Sequence, residues 1–141
     1  MTESSSPGGR VLGVDYGSHR VGLAVSDLLR MTAQPLEVIS RPAAVERIAE
    51  LITEMDVKEI VMGLPVGLSG REGPAARLAR NFGAEITDAT GLDVTFLDER
   101  FTTSTAETAM LSANVRRSRR RQSIDKVAAA VILQAFLDRR R

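Results

Sequence analysis

Towards the carboxyl end, Ile124, Val127, Ala128, Val131, Ile132, Ala135 and Phe136 fall at i, i+3, i+4, i+7, i+8, i+11 and i+12. This spacing draws one apolar stripe along a helix. Such a helix is stable in water only when another apolar surface covers its stripe. Two near-continuous apolar runs, Val11–Tyr16 and Val21–Ser26, supply one. They flank the polar turn Gly17-Ser18-His19-Arg20, which is the pattern of a β-hairpin. A third strand is expected at Leu36–Ser40. Pro42 suits the first turn of a helix whose face, Val45, Ile48, Ala49, Leu51 and Ile52, lasts to about Met55. Glu59–Met62 reads as a short buried strand ended by Gly63-Leu64-Pro65.

A glycine-rich loop, Gly67–Gly73, precedes helical spacing over Pro74–Thr90 at Ala75, Leu78, Ala79, Phe82 and Ile86. Val94–Leu97 is a strand. Thr102 or Thr103 is placed to cap a helix running to about Leu111, and Ser123 to cap the last helix. The order β-β-β-α-β-α-β-α-α predicts an α/β fold. Its mixed five-stranded sheet has three antiparallel, hairpin-led strands and then parallel ones, with helices on both faces. Residues 1–10, rich in Ser, Gly and Pro, read as a disordered tail, and residues 11–141 as a single domain.

Composition narrows the chemistry. The chain of 141 residues contains no cysteine, which removes disulfides, thiol nucleophiles and Cys-based zinc sites. No run of 18 apolar residues is present, so no membrane partner is expected, and a cytoplasmic location fits. The formal net charge is +1, yet its distribution is lopsided. Residues 1–100 hold 10 Lys/Arg against 15 Asp/Glu, and residues 101–141 hold 9 against 3. The basic excess sits in Arg116, Arg117, Arg119, Arg120 and Arg121, and again in Arg139–Arg141. Such clusters favour a polyanionic partner. A solvated loop and a helix end whose cations suit the dipole are the plainer alternative, preferred for Arg139–Arg141.

Three acids occupy positions where a carboxylate is costly or placed to act. Asp15 lies at the end of the first apolar strand, either as a site residue or as an acid closing the hairpin turn. Asp98-Glu99-Arg100 follows the strand Val94–Leu97, at the strand end where α/β sheets bind ligands. Strand alternation sends Asp98 and Glu99 to opposite sides, so one of them joins a shared site. Asp125, in the expected first turn of the last helix, suits the dipole there, yet it lies beneath the apolar column Ala128, Ala129 and Ile132. Convergent carboxylates suit hard cations such as Mg²⁺ or Mn²⁺, which keep waters and bind substrate phosphates. His19, in a turn, is assigned no role.

Taken in order, these residues resemble the YqgF/RuvX family of ribonuclease H-like nucleases, described as Holliday junction resolvases or as nucleases of pre-16S ribosomal RNA. Gly13-Val14-Asp15-Tyr16-Gly17 with Arg20–Asp27 is similar to the family's opening hairpin. Gly63-Leu64-Pro65 with Gly70 and Gly73 is similar to its central loop, Asp98–Thr103 to its second acidic motif, and Asp125–Gln134 to its last helix. Val66-Gly67-Leu68-Ser69 departs from the Asn and Asp often found in that loop.

The resemblance implies a catalytic, metal-binding triad of Asp15, Glu99 and Asp125 holding two Mg²⁺ or Mn²⁺ ions. It also prefers Glu99 to Asp98. The implied activity is metal-dependent hydrolysis of nucleic acid, RNA or branched DNA, with processing of the 5′ end of pre-16S rRNA favoured over junction resolution, by a monomer or a homodimer. Arg116–Arg121, leading into Asp125, would flank the site. Arg100 and Lys126 would orient phosphates, with surface ion pairing as their alternative.

Two rival readings share the superfold. Asp15-Tyr16-Gly17-Ser18 fits the phosphate loop of actin-like and sugar-kinase nucleotide-binding proteins, which need two such domains. A non-catalytic nucleic-acid binder would use the charge asymmetry without needing the three acids.

Overall fold

The computed structural model of the chain describes residues 9–67, 69–101 and 117–140; for residues 101 and 117–125 it describes backbone only. The elements are β1 (Arg10–Tyr16), β2 (Arg20–Ser26), β3 (Ala33–Ser40), α1 (Arg41–Glu54), β4 (Val57–Leu64), α2 (Pro74–Thr90), β5 (Val94–Asp98), a 3₁₀ turn (Glu99–Phe101) and α3 (Arg117–Arg140). One sheet has the order β3-β2-β1-β4-β5. β1 pairs antiparallel with β2 and parallel with β4, β2 pairs antiparallel with β3, and β4 pairs parallel with β5. This is the mixed five-stranded arrangement expected of a ribonuclease H-like chain.

The sheet separates two apolar layers because its central strands alternate. Leu12, Val14, Ile60, Met62 and Leu64 face α1 and α2, packing on Ala44, Ile48, Leu51, Ala76, Ala79, Phe82 and Ile86. Val11, Ala24, Val61 and Leu97 face α3, against Ala129, Ile132, Leu133, Phe136 and Leu137. Both faces of β1 and β4 are covered, which is why their sequences run apolar without a polar alternation. Pro35 sits on β3, an edge strand, where a missing N–H costs no interior ladder bond.

Several bounds differ from the sequence reading. Arg10, counted with the tail, opens β1, where its N–H donates to Asp56 O and its guanidinium to Met55 O. β3 begins at Ala33 instead of Leu36, held by Ala33 N–H donating to Gln134 Oε1 at 2.9 Å. β4 runs on through Gly63 and Leu64, since both pair with β5. The largest change is α3, which begins at Arg117, six residues before Ser123. Arg and Gln are good helix formers, so the basic segment continues the helix and Ser123 lies inside it. The helix expected from Thr102 or Thr103 to Leu111, and the segment 1–8, lie outside the described residues.

Candidate active site

The carboxyl ends of β1, β4 and β5 share one edge of the sheet because these three strands are parallel. Asp15 lies near the end of β1, partly buried and opposite Gly22 of β2. Alternation puts it on the side of Val11 and Gly13, which is the α3 side. Leu97 faces the same layer, and Glu99, two residues on, lies over β4. A Cβ added to Gly63 would stand 2.5 Å from Glu99 Oε2, 3.1 Å from Glu99 Cγ and 2.7 Å from Ile132 Cδ1. Glycine at 63 therefore leaves the space that the Glu99 carboxylate fills. Val14 pairs with Met62, so Gly63 is next in line beside Asp15. Asp15 and Glu99 stand on neighbouring columns of one sheet face.

α3 reaches the same place by register. A Cβ at Gly13 would lie 2.8 Å from Leu133 Cβ and 3.0 Å from Ala129 O, so the helix rests directly on the β1 backbone. Phe136 and Leu137 meet Val11 further back along the strand. The helix thus runs antiparallel to β1. Four helical residues advance about 6 Å, and two strand residues about 6.6 Å. One more step of each brings Ala129 level with Asp15, and position 125 lies one further helical turn along, about 6 Å beyond it. Asp125 lies eight residues past the first residue of α3, in its third turn and not the first. The helix dipole does not account for an acid there, because its field falls off within the first turn. The side chain of Asp125 lies outside what is described. Among the described residues no group of three or more His, Asp or Glu side chains is assembled for a metal.

The two adjacent acids of β5 have opposite electrostatics. Glu99 is pushed above the usual carboxylate range by burial, and next by the negative charge of Asp98. Asp98 is held below its usual value, first by the Arg100 guanidinium and then by the Arg100 backbone N–H. Arg100 Nε and Nη2 donate to Asp98 Oδ2 at 3.0 and 2.7 Å, and the Arg100 N–H donates to Oδ1 at 2.9 Å. A carboxylate whose charge is disfavoured by burial, beside a second acid on the same face, fits an oxygen-donor site for a hard cation.

The turn after Asp15 is braced from the other layer. Tyr16 stacks on Phe82 with centroids 4.5 Å apart, and Arg41 lies 4.1 Å over the Tyr16 ring while donating to Gly17 O. Of the basic residues singled out in the sequence, Arg100 is ion-paired with Asp98 and Lys126 is half-buried on α3. Arg117, Arg119, Arg120 and Arg121 lie in the first turns of α3, described by backbone alone, and Arg116 lies outside the described residues. Arg140 pairs with Glu59, which also accepts from Arg30, and lies over Phe136. That cation of the C-terminal cluster thus has a structural partner. The sequence reading missed Gln134, which ties α3 to β3 by accepting from Ala33 N–H and donating to Met31 O. It also missed the bonds of Asp98; two acids and an arginine in a row were the only signal.

Comparison with known proteins agrees with this frame. The RuvX family model, described as a Holliday junction resolvase, matches residues 9–139. A Lactococcus lactis relative named "Putative pre-16S rRNA nuclease" is 44% identical over 134 residues, covering 92% of this chain and 94% of its own. Relatives of the same name from Pelotomaculum thermopropionicum and Bacillus cereus are 46% and 43% identical, covering 92% and 93% of this chain and 86% and 99% of their own. Among solved structures, Thermus thermophilus RuvC in complex with a Holliday junction substrate superposes with a TM-score of 0.58 at 18% identity, covering 94% of this chain and 96% of that one. Fowlpox virus resolvase with Holliday junction DNA gives 0.55 at 9% identity, covering 92% and 97%. These two share the fold. With the family model spanning nearly the whole described chain and relatives above 40% identity over nine-tenths of it, the chain belongs to the RuvX family.

Proposed function

We propose that this protein is a nuclease hydrolysing phosphodiester bonds of structured RNA, and that Asp15, Glu99 and Asp125 are its catalytic carboxylates. The observation that carries the reading is the Glu99 carboxylate seated over Gly63, on the sheet face that α3 covers and that alternation assigns to Asp15 of the neighbouring strand. The three carboxylates would hold Mg²⁺ or Mn²⁺, two ions in the full site, which when bound supply an activated water and neutralise charge on the leaving oxygen. The chain's own work is to fix the donors. Gly63 makes room for the Glu99 carboxyl, and the Ile132 side chain packs beside it and excludes water. The braced turn at Gly17 fixes the end of the strand that carries Asp15. Lys126 and the row Arg116, Arg117, Arg119, Arg120 and Arg121 are proposed to hold the backbone of the nucleic acid through its phosphates, whereas Arg100 is engaged by Asp98.

Pre-16S rRNA is the favoured substrate, supported by the names of relatives at 43–46% identity. The description of the matching family supports a second reading, resolution of four-way DNA junctions, which calls for a two-fold dimer. Cleavage of precursor rRNA, single-stranded RNA and a four-way junction under one Mn²⁺ condition tests the choice. Trimming of the precursor's 5′ end with the junction left intact is expected. Symmetric cutting of the junction with RNA untouched would reverse the assignment.

A further inference from the structure

The turn that carries Glu99 is built by the acid before it. Asp98 ends β5 on the face opposite Glu99, so it does not enter the carboxylate site. Its Oδ1 accepts the backbone N–H of Arg100 at 2.9 Å, which closes an Asx turn around Glu99. The same carboxylate takes the Arg100 guanidinium through Nε and Nη2. Each end of the three-residue segment is thereby tied to the other, with Glu99 at its apex. The clamped guanidinium in turn lies against the glycine loop: a Cβ at Gly70 would sit 3.5 Å from Arg100 Nη1. Gly70 has φ +85°, a conformation that favours glycine, and its N–H donates to Gly67 O. The loop's other end is fixed by Glu72, which pairs with Arg80 through two bonds of 2.7 Å.

We propose that Asp98 is a positioning residue for the carboxylate site: through the Arg100 N–H and guanidinium it sets the turn that aims Glu99 across Gly63. The inference rests on the reading of Glu99 as a catalytic carboxylate. Asp98 itself touches neither substrate nor ion. Its effect belongs to turnover and not to nucleic-acid binding, because what it fixes is the direction of Glu99.

The test uses the full chain as wild type, Asp98→Ala, Asp98→Asn and Asp15→Asn. Initial rates with Mn²⁺ are measured over a range of precursor RNA, binding of the same RNA is measured without metal, and thermal unfolding is recorded for each. Wild type that cuts while Asp15→Asn does not establishes the underlying site independently of Asp98; if wild type does not cut any substrate, that reading fails and this one with it. Asp98→Ala, which removes the turn acceptor, is expected to lower kcat about tenfold or more, the size of one charge-assisted bond. Its metal-free RNA binding is expected to stay within about threefold of wild type. Asn keeps an oxygen for the Arg100 N–H, so Asp98→Asn should recover kcat to within about threefold. The proposal is overturned if Asp98→Ala turns over like wild type, or if Asn rescues nothing. It is overturned equally if RNA binding falls as far as kcat, which would make Asp98–Arg100 a substrate-binding pair.

Discussion

Glu99 and Asp98 are neighbours in sequence, and the period of a strand makes them different chemical objects. Asp98 lies on the side of α1 and α2, where Arg100 keeps it ionised; Glu99 lies over Gly63, where burial disfavours its charge. Removing that charge should cost the metal-free fold nothing. Glu99→Gln is expected to melt at or above the wild-type temperature while losing cleavage, a split between stability and activity that marks a functional carboxylate. Melting well below wild type would show that Glu99 holds the fold together. Asp27 supplies the contrasting case of a structural acid. Its Oδ1 accepts the N–H groups of Met31 and Thr32 at 2.7 and 2.9 Å, and these bonds, that of Thr32 first, lower its pKa. A depressed folded pKa gives stability that is present above the ordinary carboxylate value, about 3.9, and lost as pH falls through the folded value. Melting curves of Asp27→Asn and wild type should therefore differ most at neutral pH and converge below about pH 4. A difference that persists unchanged to pH 3 would contradict the assignment of that turn to the ionised carboxylate.

At the scale of elements, α3 decides whether a site exists. It sits close enough on β1 that Gly13 has backbone and Leu133 directly above it, and this closeness lays the helix along the strand with position 125 one turn beyond the residue level with Asp15. Gly13→Ala would push a methyl into the Ala129 carbonyl and Leu133 Cβ, neither of which can swing away. A loss of about 1–3 kcal/mol is expected from such overpacking, measured by denaturant unfolding at equal m-value. An unchanged midpoint would mean the helix stands off the strand. The sequence made α2 legible to its bounds, Pro74–Thr90, because a proline opens it and Gly91 follows its last residue. α3 was legible only in its apolar half. Its first turns carry Arg117, Arg119, Arg120 and Arg121, without an apolar period, and Ser123 offered a false start. The error mattered for function, since it made Asp125 look like a helix-end acid. The choice between Asp98 and Glu99 was half legible: alternation said that one would join the site, the resemblance preferred Glu99, and the packing of Glu99 over Gly63 agrees with that preference.

At the scale of the whole molecule, the charge asymmetry of the sequence divides into two parts with different physics. Arg140 is occupied by Glu59 and the Phe136 ring at the end of α3 remote from Asp15. Arg117, Arg119, Arg120 and Arg121 begin the same helix at the other end, in the turns that lead to Asp125. Neutralising Arg119, Arg120 and Arg121 together should reduce the dependence of log K on log salt by about 0.7 for each single-strand phosphate no longer neutralised. Neutralising Arg139 and Arg140 should leave that slope in place. Equal effects at the two ends would mean that nucleic acid is held by overall charge and not by the site's surroundings. No described helix is long and apolar enough to cross a membrane. Two layers of side chains on one mixed sheet were readable from the apolar periods, whereas the seating of Glu99 over Gly63, next to the strand that carries Asp15, depends on strand order, which periodicity does not encode.

The most direct measurement of the central claim is Mn²⁺-dependent cleavage of precursor 16S rRNA by the wild-type chain and by Asp15→Asn, with circular dichroism confirming that both are folded. The carboxylate site predicts that Asp15→Asn cuts about a thousandfold more slowly, a barrier increase of roughly 4 kcal/mol, while still binding the RNA. Cutting by Asp15→Asn at the wild-type rate would contradict it.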